Sequence, residues 1–424
     1  RAQVRPTICL LEDQQAAYAA VQADAKARDL EPHVLILPLW PGDSSWASIY
    51  EYFVQMYGLR MVNGYSPAVR QAYVDQVFRF LESVNQGWLT EEQLARLAEM
   101  NVRYILVHEN AFPEKVSPFP VGRTLQRLSA HPRLRRLAQA ENVWAYVIDA
   151  DGAAPTDSGP MACDTWFPAR RFEIEQTQSE GAACVEDEDA GGGAFLRFDA
   201  PTARAETRPA RVAPADDLRW LVRGRGTGRI QARTLESGEP AATQTLAFDG
   251  SPWTWQEIPI TSHDRFQPLA LRMSEAEGSV DLDLALLVSG NWPADGRITR
   301  RDIAPACLFH GGYTDADGRS VVLRVSHDPV AALLYGPKLP LAPGRYRVRL
   351  LAEGNAPEGT VLGRMNVRVR DEDESGFAEL RSGVPTEILW DQNSNLPVNV
   401  VVVYSRQYDC KVKQFAIEVL DEMP

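Results

Sequence analysis

The sequence predicts a multidomain chain of α/β plus all-β class, with an N-terminal three-layer-type α/β domain followed by two jelly-roll-like β-sandwiches. Three observations predict it. The runs at 34–39 (VLILPL) and 102–108 (VRYILVH) are almost wholly apolar, the signature of strands buried on both faces of a helix-covered sheet. Helical periodicity then stops near residue 150. Beyond it, short alternating runs recur with turn residues at the roughly 8–12-residue spacing of sandwich strands.

Taken in order, residues 14–26 are Ala-rich and unbroken, which reads as a helix. The strand at 34–39 ends in Pro38-Leu39-Trp40-Pro41-Gly42, and an aromatic-rich helix follows. A short strand at 59–62 runs into Asn63-Gly64-Tyr65-Ser66-Pro67. Broken strand ends of this kind are where such a sheet presents side chains to a ligand. Residues 67–84 carry Val69, Tyr73, Val77, Phe80, Leu81 and Val84 on one helical stripe. Thr90-Glu91-Glu92-Gln93 is a capping box that starts a helix running through Met100. The strand at 102–108, a helix at 122–130 and a hairpin from 134–138 and 143–148 complete a domain over residues 1–150.

Residues 151–165, rich in Pro and Gly, read as a linker. The first sandwich, residues 166–297, takes strands at 194–199, 218–223, 229–234, 243–248, 253–260, 268–273 and 280–288. Within it Val280-Asp281-Leu282-Asp283-Leu284 alternates strictly, which predicts one buried and one wet face. Arg223-Gly224-Arg225-Gly226-Thr227-Gly228 has phosphate-loop-like glycines, but no helix follows to hold a phosphate, so it reads as a hairpin turn. The second sandwich, residues 298–424, takes strands at 320–325, 330–335, 345–351, 361–370, 377–380, 387–390, 398–404 and 410–420.

The net charge of −13 argues against a nucleic-acid partner, which requires a basic surface. No apolar run reaches the roughly 18 residues of a membrane helix. The chain opens at Arg1 without methionine or a signal pattern, so a portion of a longer protein is expected. Cys163 and Cys184 flank one domain start, and Cys307 and Cys410 lie near the two ends of another. Two disulfides with Cys9 left over would suit an oxidising compartment, and buried unpaired cysteines are the alternative.

Catalytic signatures are absent. Gly42-Asp43-Ser44-Ser45-Trp46 lacks the spacing of a nucleophile elbow and reads as a helix cap. The histidines show no zinc-ligand spacing. His108-Glu109-Asn110 sits at a strand end, where sites form, and competes with a structural reading. The Thr-Asp-Ala-Asp-Gly turn holding Asp315 and Asp317 is the candidate for a structural calcium ion; no other cofactor is expected. The aromatic residues carry the remaining interest, because sugars stack on Trp and Tyr beside amides and carboxylates. Trp253 and Trp255 share a face of one strand, and Trp390 precedes Asp391 and Asn393 on a loop. In the first domain, Trp40, Trp46, Tyr50, Asn63 and Tyr65 converge on the strand ends. Each of these sets is either a sugar platform or ordinary core.

Residues 33–110, with VLILPLW, RMVNGYSP and NVRYILVHEN, resemble the soluble C-terminal region of polytopic bacterial GT-C-type glycosyltransferase-like membrane proteins. Asn101 stands where that pattern usually has Gly. The sandwiches are similar to carbohydrate-binding-module or galactose-binding-like jelly rolls, on Trp253–Ile260 with 280–288 and on Tyr335-Gly336-Pro337 with Leu341–Tyr346. The resemblance implies an extracytoplasmic, membrane-attached setting in which the membrane part of the same polypeptide is a partner. It also implies that the catalytic acid lies in that membrane part, so no catalytic residue transfers to this chain. The expectation is a non-catalytic region that binds or positions a glycan or lipid-linked sugar. The alternatives are a hydrolase or transferase using Asp43, His108 and Glu109, and a structural spacer or protein-interaction module.

Overall fold

The computed structural model describes residues 14–41, 44, 46–64, 68–149, 167–215, 218–250, 252–260, 263–290, 299–328, 331–369 and 374–421. The linker expected at 151–165 lies outside them. The chain divides into two compact units, one of Arg1–Asn85, Leu89–Ala111 and Arg127–Gly159, the other of Gln86–Trp88, Phe112–Gln126 and Pro160–Pro424.

The first unit is built on a five-stranded sheet of β1 (His33–Leu37), β2 (Arg60–Met61), β3 (Val102–His108), β4 (Leu134–Ala140) and β5 (Val143–Ile148), in the order β2-β1-β3-β5-β4. β2 and β3 flank β1 in parallel, while β5 and β4 are added antiparallel. Val34 to Leu37 and Tyr104 to Val107 are wholly inaccessible, as strands in the middle of a covered sheet must be. Helices Ala16–Ala27, Trp46–Met56 and Glu91–Glu99 are its regular ones.

The capping box forms as expected. Gln93 N–H donates to Thr90 Oγ1 (3.2 Å), and Thr90 N–H donates to Gln93 Oε1 (2.9 Å). That helix ends just before Asn101, whose φ of 58° explains the resemblance-based expectation of glycine there: the backbone turns left-handed, and Asn tolerates this next best. The helix expected over 67–84 is not continuous. A single α-turn (Gln71–Tyr73) passes into a wide π-turn (Val74–Phe78), another α-turn (Arg79–Leu81) and a tight 3-10 stretch (Glu82–Gln86). Rephasing of this kind lets Asn85 turn inward and grip the main chain of Leu39, which a regular helix would not guarantee.

In the second unit, the region expected to form a seven-stranded sandwich is one branched ten-stranded sheet. Two very long strands, Arg219–Glu236 and Gln267–Ser289, pair along nearly their whole length and carry the others on their flanks. The expected hairpin turn at 223–228 is therefore a correction: those glycines lie mid-strand. A Cβ on Gly226 or Gly228 would fall on the main-chain carbonyls of Ser279 and Glu277 in the partner strand, and one on Gly224 would meet the Phe248 ring at 2.5 Å. Gly226 also has φ 113°, two residues past a break in register between Arg223 and Gly224, and its pairing with Val280 is uninterrupted.

Residues from 301 onward form two further sheets, of six and five strands. Tyr346, Val348 and Leu350 from the six-stranded sheet and Met365, Val367, Val400 and Val402 from the five-stranded one join a single core. That core continues without a break into Leu282, Leu284 and Trp220 of the ten-stranded sheet.

Candidate functional site

At the ends of the parallel strands in the first unit, two asparagine amides hold the main chain. Ile36 N–H donates to Asn63 Oδ1 (3.0 Å), and Asn63 Nδ2 returns a bond to Ile36 O (2.8 Å). Asn85 does the same at Leu39, at 2.7 and 2.9 Å. Asn63 is buried, so its amide is committed to the strand and faces no solvent. Trp40 is also buried and donates from Nε1 to the Tyr50 hydroxyl (3.4 Å), while Trp46 is half-buried at the first turn of its helix. Tyr65 and Asp43 lie outside the described residues. His108 pairs with the Tyr18 hydroxyl (2.8 Å) and packs its ring 4.7 Å from that of Tyr50. Complete burial pushes its pKa down to about 3, so the imidazole is neutral at physiological pH. Glu109 is buried too and accepts from Trp144 Nε1 at 2.9 Å.

In the second unit, the expected wet face at 280–284 is buried, which corrects the reading of that alternation. Asp283 is inaccessible and ion-paired with the equally buried Arg223. Asp281 is bracketed by Arg197 (2.8 Å) and Arg225 (3.2 Å), and Arg225 reaches on to Asp187 (2.6 Å). Burial raises the Asp283 pKa, and the adjacent guanidinium of Arg223 opposes that rise.

This ionic ladder supports an aromatic rim. The guanidinium of Arg225 lies 4.3 Å and that of Arg223 4.8 Å from the Trp253 ring, with Phe195 edge-on at 5.5 Å. Trp253 is thus enclosed, whereas Trp255 is half-buried. The Trp253–Trp255 strand meets the loop that follows Trp390, through Asn395. Arg223 Nε donates to its Oδ1 (2.7 Å), its Nδ2 donates to Trp253 O (2.7 Å), and Trp255 Nε1 donates to its main-chain O (2.8 Å). Sequence reasoning missed Arg223 as a member of this site, having read it as part of a hairpin turn, and took Asn395 only as the last residue of the polar loop that follows Trp390. Trp390 is not at the rim: it is buried in the sandwich core, stacked on Tyr346 at 5.4 Å. Its neighbours Asp391 and Asn393 are exposed.

Behind the ladder, Glu173 and Glu175 crowd Gly191 and Gly192 alongside Asp283, so closely that a Cβ on either glycine would touch a carboxylate. Arg171 pairs with Glu173 (2.5 Å). Burial, reinforced by Glu173 and Asp283, raises the Glu175 carboxyl to about 7. Among the described residues no group of His, Cys, Asp or Glu is disposed to hold a metal ion. At the turn proposed for calcium, Lys411 Nζ takes the cation's place, pairing with Asp315 and with Asp317 (3.1 Å).

The cysteine pairing expected from spacing is also corrected. Cys184 is an exposed free thiol and Cys410 a buried one, so neither Cys163 with Cys184 nor Cys307 with Cys410 forms a bridge, while Cys307 is disulfide-bonded. Cys163 lies outside the described residues. Burial pushes the Cys410 thiol up to about 12, which keeps it protonated and inert.

No family model matches the sequence, and no curated protein matches it. Solved structures similar to it include several carbohydrate-binding modules. A family 35 module from Clostridium thermocellum is 13% identical over 28% of this chain and 98% of that one, with a TM-score of 0.24. CsCBM6-3 from Clostridium stercorarium, in complex with cellobiose, is 14% identical over 29% and 94%, with a TM-score of 0.23. A Paenibacillus xanthan lyase is 13% identical over 66% of this chain and 28% of its own, also at 0.23.

Proposed function

We propose that this chain binds or positions a glycan, as the extracytoplasmic part of a larger membrane-attached protein, and that it performs no bond-breaking step itself. One observation carries the binding reading. At the rim of the ten-stranded sheet an indole N–H, a buried guanidinium and a main-chain carbonyl converge on a single residue, Asn395. Alternating donors and acceptors next to an aromatic ring are what a polyhydroxylated ligand requires. The membrane setting and a lipid-linked sugar rest on the resemblance of residues 33–110.

The hydrolase or transferase reading needs His108 and Glu109 to reach a substrate. Both are buried, with His108 bonded to Tyr18 and Glu109 to Trp144, so their side chains serve the core.

The test is a glycan array, extended to lipid-linked oligosaccharides, with the wild-type chain and Trp255→Ala. Retention of a glycan that is reduced at least ten-fold by the substitution is expected. Turnover of a glycoside or ester that is abolished by His108→Ala would instead establish the enzymatic reading.

A further inference from the structure

The groups around Asn395 are satisfied by the chain itself. One residue supplies an acceptor to Arg223, a donor to the Trp253 carbonyl and a second acceptor to the Trp255 indole, at 2.7, 2.7 and 2.8 Å. These are the contacts that a hydroxyl or amide of an external ligand would make there. The turn that presents Asn395 is shaped from within the second sandwich. Gln392, wholly buried, donates from Nε2 to Ser394 O (2.6 Å) and Leu396 O (3.1 Å), and Leu396 N–H donates to Ser394 Oγ (3.4 Å). Asn395 is therefore delivered in a fixed orientation. Arg223 does not depend on it for its own placement, because it also holds Asp283 and donates to Asp189 O (3.1 Å). The rim would keep its form if the turn withdrew.

We propose that the turn at 393–395 is a built-in cap, a tethered occupant of the Trp255–Arg223 rim that an incoming ligand must displace. The proposal rests on the glycan-binding reading of that rim for the nature of the ligand, but not for the existence of the cap. A tethered group competes at an effective concentration on the order of millimolar, so a capped rim binds a free ligand weakly until the cap is lifted.

The experiment uses the full 424-residue chain. Acrylamide quenching of Trp255, isolated by difference against Trp255→Phe, is compared in wild type, Asn395→Ala and Asn395→Asp, with thermal unfolding as a check on folding. Asn395→Ala should raise quenching of Trp255 several-fold and tighten binding of any glycan retained on the array by about ten-fold. Asn395→Asp, which keeps an acceptor for Arg223, should stay closer to wild type. Unchanged quenching in a folded Asn395→Ala chain overturns the cap. So does an opened variant that binds its glycan more weakly, since the turn would then belong to the binding site. Opening without any glycan retained by either form supports the cap and removes the glycan reading alone.

Discussion

Asp281 and Asp283 show how far a residue's surroundings outweigh its letter. Their alternation with Val280, Leu282 and Leu284 was legible as a strand, and the parity was right: the two carboxylates do share a face. What parity could not show is what lies over that face. Arg197, Arg223 and Arg225 arrive from strands far away in sequence and convert a wet face into a buried ionic layer. Glu175, behind that layer, gives a prediction of sign. Its carboxyl, raised to about 7 by burial and the neighbouring carboxylates, binds a proton more readily folded than unfolded. The folded state therefore loses stability as pH rises from the unfolded value near 4.5 through 7. Urea unfolding should show Glu175→Gln more stable than wild type at pH 8, with the gain shrinking toward nothing below pH 4.5. A gain at low pH that vanishes at pH 8 would reverse the argument.

Strands and helices were legible where one local rule fixed them. The Thr90 capping box, the strand Val102–His108 and the strand Val398–Tyr404 stand where pattern and turn chemistry place them. Arg219–Glu236 was misread because glycine usually marks a turn, and here it marks the opposite, a place where two strands come too close for any side chain. Gly226 tests this. With φ 113° and the Ser279 carbonyl where a methyl would go, Gly226→Ala should destabilise the chain by about 1–3 kcal/mol in urea unfolding. A loop glycine with open space, such as Gly238, is strained only by its φ of 93°, so Gly238→Ala should have the smaller effect. Equal effects would point to a turn at 223–228 after all. The broken helix at 71–86 was illegible for another reason: its interruptions serve Asn85, whose partner at Leu39 is remote in sequence.

Across the molecule, composition separated a helical first part from a strand-rich remainder, but it could not show that the strand-rich part shares one core. The apolar interior runs from Trp220 and Leu284 through to Val400 and Ile417 without interruption. Hydrogen exchange should therefore find the amides of Leu284 and Val400 opening with the same free energy and the same denaturant dependence, as members of one cooperative unit. Two distinct values would mean that the sheets on either side of residue 300 open separately. The paired acidic turn near residue 315 has a different lesson. Because Lys411 rides on the neighbouring strand, this counter-ion is covalently tethered and cannot be washed out, chelated or swapped for another. A loop that borrows its positive charge from solution is ordered only while the medium provides it. This one carries its own, and a chelator has no ion to take from it.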